Sequence, residues 1–109
     1  MTAMLVYVTV GTRKEALAIG RTLVEERLSP SANVLDGVHS IYWWQGKLNE
    51  GDEAVLILKS TRERLPMVIA RAVELHSYDC PCVVALPIAD GNPDYLAWIA
   101  AETSGAARG

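Results

Sequence analysis

Three stretches of this chain are apolar at consecutive positions: residues 4–10 (MLVYVTV), 54–58 (AVLIL) and 82–88 (CVVALPI). A strand with one wet face alternates apolar and polar side chains, whereas an unbroken run of β-branched and aliphatic residues reads as a strand dry on both faces. Each run is far short of the ~20 residues that a membrane-spanning helix needs. The chain is therefore limited to architectures in which a sheet is covered on both sides.

The segments between these runs supply the rest. Gly11 to Glu15 breaks the first strand, with Thr12 and Glu15 spaced as a capping box. Ala16, Ile19, Gly20, Leu23, Val24 and Leu28 then recur every three or four residues, the signature of an amphipathic helix, which Ser29-Pro30 ends. Residues 33–44 (NVLDGVHSIYWW) are β-branched and aromatic, with Asp36-Gly37 read as a bulge inside one bent strand. Gln45-Gly46 is the next stop, so residues 33–60 read as one long hairpin. Ser60 and Thr61 offer caps for a second helix that reaches about Leu75. Pro66 puts its regular part near Leu65, since proline suits only a first helical turn. Asn92-Pro93 is a cap-plus-first-position pair, opening a short last helix to about Glu102 that carries Leu96, Trp98 and Ile99.

The order is β-α-β-β-α-β plus a terminal helix, an α+β fold of the ferredoxin-like, split βαβ kind. One domain over residues 1–103 is expected, with 104–109 as a flexible tail. A length of 109 residues leaves no room for separate catalytic and cofactor-binding halves. In this topology both crossover helices lie on one sheet face. The other face, apolar and larger than the short last helix can cover, predicts a homo-oligomer.

Ten basic against thirteen acidic residues give a net charge of −3, which offers no field for phosphates and argues against nucleic-acid binding. No membrane association is expected either. The first ten residues lack the charged start and cleavage site of a signal peptide, which predicts a cytoplasmic location. The only cysteines, Cys80 and Cys82, are read as free thiols. With His76 and Asp79 they place four possible ligands within seven residues, and thiolate plus imidazole suits zinc or copper. An alternative for His76 is a helix-end residue hydrogen-bonded across a subunit contact. Tyr42, Trp43, Trp44, Tyr78 and Trp98, with Lys59 and His76, could line an intersubunit pocket for a small anion, or simply anchor an interface. His39 stands alone on its strand, read as interfacial or exposed. Gly11 to Lys14 matches no phosphate-loop pattern and reads as a capped turn.

Four motifs now stand in order: 40–47 (SIYWWQGK), 57–60 (ILKS), 76–81 (HSYDCP) and 95–98 (YLAW). Together they resemble, over residues 4–103, the CutA (divalent-cation tolerance) proteins. The resemblance implies a homotrimer of ferredoxin-like protomers packed edge to edge, akin in architecture to PII signalling proteins. It also implies a non-enzymatic part in tolerance of copper and other divalent metal ions, exercised by binding them. The family's metal positions correspond here to Val10, His76 and Cys82. A missing ligand and a thiol in place of a carboxylate favour Cu(I) or Zn²⁺, with Cys80 at hand as a further donor. Ser31 and Ser77 also depart from the family pattern. The competing reading is a PII-like regulatory module that binds a small anion in subunit clefts. An acylphosphatase would use Arg13 but lacks the matching asparagine context.

Overall fold

A computed structural model describes residues 2–104 of the chain. Strand β1 (Ala3–Val10), helix α1 (Arg13–Glu25), strands β2 (Ala32–Trp44) and β3 (Lys47–Thr61), helix α2 (Leu65–Leu75), strand β4 (Val83–Pro87) and helix α3 (Pro93–Thr103) follow in order. The four strands form one antiparallel sheet in the order β2-β3-β1-β4, which is the expected ferredoxin-like arrangement.

The strand pleat divides the sheet's side chains between two layers. Val6, Val8 and Val10 of β1, with Ala54, Leu56 and Leu58 of β3, are fully buried beneath Ala16, Ile19 and Leu23 of α1 and Val68 and Ala72 of α2. Gly20 lets α1 come close to the sheet: a Cβ there would stand 2.9 Å from a methyl of Leu56 and 3.0 Å from Ala32 Cβ. The opposite layer carries Leu5, Tyr7, Asn33, Ile57 and Lys59, and α3 lies over one end of it through the fully buried Ile99. Beyond α3 that layer is open, with Leu35 and Val84 51% and Leu86 61% exposed.

The helix ends depart from the sequence reading in ways that local chemistry explains. Helix α1 stops at Glu25, four residues before the serine-proline pair. Arg27 takes a left-handed conformation (φ 63°), its N–H donates to the Val24 carbonyl, and the Leu28 N–H donates to the Leu23 carbonyl. That is a Schellman closure, and it buries Leu28 against Leu23 from outside the helix rather than on its face. Ser60 does not cap α2. It lies in β3 and its hydroxyl donates to the Leu28 carbonyl (2.8 Å), while α2 starts at Leu65 without a side-chain cap. Thr12 does cap α1, accepting from the Glu15 N–H at 3.1 Å, but Glu15 does not complete the box. Asn92 caps α3 through the Asp94 N–H, with Pro93 in first position.

The hairpin follows the expected course. A register shift between Leu35 and Val38 marks the bulge at Asp36-Gly37, where Gly37 has φ 73°. Gln45 (φ 51°) and Gly46 (φ 76°) form the tip, a left-handed pair of the kind that matches strand twist in two-residue hairpins. Strand β4 begins at Val83, one residue later than the sequence suggests. Ser104 belongs to the end of α3, its carbonyl accepting from Arg64; the remainder of the expected tail, 105–109, lies outside the described residues.

Candidate functional site

The bulge decides which hairpin side chains reach the open layer. Leu35 pairs with Val55 but Val38 with Glu53, so one extra residue of β2 is absorbed and its facing parity inverts. Above the bulge Ser40, Tyr42 and Trp44 therefore share a face with Glu53. Thr9 at the end of β1 and Cys82, whose carbonyl accepts from the Thr9 N–H, approach from the other side. These residues, with Ile41, Trp43 and the segment from Ser77 to Cys80, line a cleft of about 720 Å³.

The segment from His76 to Cys82 is held by a short polar network. The ring of His76, buried at the end of α2, donates from Nε2 to the Thr9 carbonyl at 2.7 Å, while its Nδ1 accepts the Tyr78 N–H at 3.1 Å. Those partners assign the tautomer. Glu15 reaches over from α1, one carboxylate oxygen accepting the Ser77 N–H and the other the Ser77 hydroxyl, both at 2.9 Å. So the carboxylate expected to close a capping box instead tethers the loop below the cleft. The Tyr78 ring packs against His76 with centroids 4.7 Å apart, and its hydroxyl donates to Glu53 Oε2 at 2.8 Å. Partial burial, then the Glu53 carboxylate, push the Tyr78 hydroxyl up to about 12, so it remains a donor. Gly11 makes room for it, since a Cβ there would meet Tyr78 Oη at 3.1 Å.

The structure brings together some of the sequence-derived candidates and separates others. Tyr42, Trp43, Tyr78, Cys80 and Cys82 share the cleft; Asp79 lines it as well. His76 stands behind Tyr78 and does not line it. Lys59 and Trp98 belong elsewhere: Lys59 donates to Asn33 (3.1 Å) and lies 5.8 Å from the Tyr95 ring, which stacks at 5.4 Å on Trp98. Lys59 pairs with Leu5, four residues along β1 from Thr9, which is about 13 Å of strand. Glu53 and Thr9 were not among the candidates, and nothing in their sequence surroundings marks them; Ser40 was not a candidate either, although it opens the 40–47 motif. Glu15 did carry a signal, its spacing from Thr12. His39, expected to be isolated, hydrogen-bonds Asp52 at 2.9 Å and Glu50 at 2.7 Å across the hairpin.

The family model described as CutA1 divalent ion tolerance protein matches residues 4–102. The chain belongs to the CutA1 family. It is 43% identical over 98 residues to the divalent-cation tolerance protein CutA of Thermus thermophilus, covering 90% of this chain and 95% of that one. Against the chloroplastic CutA 1 of Oryza sativa it is 35% identical, over 93% of this chain but 57% of that longer protein. The crystal structure of CutA1 from Oryza sativa superposes with a TM-score of 0.90 at 34% identity, covering 94% of each chain. In this CutA-family protomer, His76, Cys80 and Cys82 do not gather as a ligand set. Both His76 nitrogens are engaged inward, and among the described residues no three His, Cys, Asp or Glu side chains converge on one point. The donors of a single protomer thus do not fit a resident metal ion. Cys80 and Cys82 are exposed free thiols, and no described helix is long and apolar enough to cross a membrane.

Proposed function

We propose that this CutA-family chain works as a cytoplasmic homotrimer in tolerance of divalent metal ions, copper foremost, and not as an enzyme. The observation that carries the assembly is exposed apolar surface beyond what a lone domain leaves wet: Leu35, Tyr42, Trp44, Val84 and Leu86 on the open sheet layer, and Ile41, Trp43 and Leu48 on the other face of the hairpin. Trp43 alone is 72% exposed. A projecting hairpin and a short β4 edge are complementary features for edge-to-edge packing between copies.

Cys80 and Cys82 are the donors we assign to a soft ion, since thiolates select Cu(I) over harder cations. Further donors would come from neighbouring copies, or from His76 if it surrendered Thr9 and Tyr78. Free thiols also suit a reducing cytoplasm. The PII-like reading, a small anion in the cleft, gains no support from a lining that, among the described residues, contains Glu53 and Asp79 and no Lys, Arg or His.

Native mass spectrometry with and without copper tests both parts. A mass of three chains is expected, with stoichiometric copper uptake that Cys80→Ser plus Cys82→Ser abolishes. A lone protomer at micromolar concentration would end the assembly reading; undiminished uptake by the double variant would end the thiol assignment.

A further inference from the structure

The cleft joins features that neither the apolar surface nor the thiols explain. Tyr42, Trp44 and Tyr78 present aromatic surface, and among the described residues Glu53 and Asp79 supply the only charges in the lining, both negative. Its volume of about 720 Å³ lies within the range of small-molecule sites. Glu53 is half-buried at the strand junction and is fixed by the Tyr78 hydroxyl at 2.8 Å. That hydroxyl is itself held by a backbone locked through His76 and Glu15. The carboxylate is therefore built into the sheet rather than carried on a loose surface chain.

Aromatic faces and carboxylates attract the same kind of guest. A ring's negative face stabilises a cation above it, a carboxylate does so by charge and hydrogen bonding, and water exclusion between aromatic walls strengthens both. An anion would meet repulsion from both carboxylates, and no positively charged side chain among the described residues of the lining compensates.

We propose that this cleft is a binding site for a small organic cation, an amidinium, guanidinium or ammonium group on an apolar body, with Glu53 as its principal anchor and Tyr42 and Tyr78 as its walls. The site goes beyond the metal-tolerance reading, its anchor being a carboxylate and not the thiols that share the lining.

Benzamidine is the probe, titrated calorimetrically into the assembled, EDTA-treated protein, with benzamide as its neutral near-isostere and benzenesulfonate as the anionic control. Saturable binding of benzamidine at one site per protomer is expected, with benzamide and benzenesulfonate at least about tenfold weaker. Glu53→Gln with Asp79→Asn should weaken benzamidine by about tenfold, and Tyr42→Leu, which keeps bulk but removes the ring face, should weaken it measurably. Circular dichroism and oligomer mass must match the parent protein for each variant to count. Benzamidine binding and copper uptake are read in separate titrations of the parent protein, so a failed copper experiment leaves this site standing and the reverse also holds. Absence of saturable binding, which a neighbouring copy filling the cleft would produce, overturns the proposal. So does equal affinity for the neutral or anionic control, or an unchanged affinity in the carboxylate variant.

Discussion

His76 Nε2 lies 2.7 Å from the carbonyl oxygen of Thr9, joining the end of α2 to the end of β1 across 67 residues of sequence. The ring is buried, and its other nitrogen holds the Tyr78 N–H. His76→Ala would strand a carbonyl and an amide at a site with little water. Two unmade hydrogen bonds of this kind cost about 2 kcal/mol. A urea midpoint lowered at fixed protein concentration, with faster amide exchange over residues 77–82, is the expected result; an unchanged midpoint would mean that the ring is replaceable packing.

His39 gives the hairpin a pH dependence of defined sign. Its hydrogen bond to Asp52, and next that to Glu50, raise its pKa above the ordinary histidine value near 6.5. A raised folded-state pKa means that the charged ring stabilises the hairpin fully below about pH 6.5, and that this contribution is lost as pH rises through the higher folded value. The stability difference between the parent and His39→Asn should shrink from pH 6 towards pH 9. A difference that stays constant or grows over that range would contradict the pairing. The pair is solvent-exposed, so the effect should also weaken in high salt.

Gly20 is set by space rather than by backbone conformation. Alanine is the better helix former by about 1 kcal/mol, yet its methyl would press on Leu56 and Ala32. Overpacking a close-packed contact costs about 1–3 kcal/mol. Gly20→Ala should therefore come out net destabilising by about 1 kcal/mol in thermal or urea unfolding. A stabilised variant would show that α1 can lift off the sheet at no cost.

Arg64 ties α3 to the rest of the molecule, its guanidinium donating to the carbonyls of Thr103 (3.1 Å) and Ser104 (2.9 Å) at the helix C-terminus. A cation there satisfies free carbonyls and opposes the negative end of the helix dipole. Arg64→Ala should cost about 1 kcal/mol and raise amide exchange in the last turn of α3 before any other helix. Uniform exchange across the three helices would argue against the staple.

Much of the architecture is legible in local chemistry. Unbroken apolar runs, the capping threonine and asparagine, the proline positions and the Gln45-Gly46 tip each constrain only a few neighbouring residues, and each appears where the sequence places it. The bulge at Asp36-Gly37 is legible too, because a left-handed glycine inside a β-branched strand has few other uses. The bounds of α2, Leu65 to Leu75, are where Pro66 and the periodicity put them, but the end of α1 and the lack of a serine cap on α2 are not legible, since a Schellman closure at Arg27 and a hydroxyl diverted to Leu28 depend on where the neighbouring strand lies.

The site divides along the same line. The family, the ferredoxin-like sheet and the candidacy of Tyr42, Trp43 and Tyr78 follow from contiguous, chemically conspicuous motifs. That Glu53 faces them, that His76 turns inward to Thr9, and that Lys59 and Trp98 sit about 13 Å along the strand with Tyr95 emerges from the folded chain alone. The physical reason is register. Which side chains share a face of a sheet depends on a one-residue count across paired strands, and that count is fixed by long-range pairing through the bulge, not by any residue's own preference.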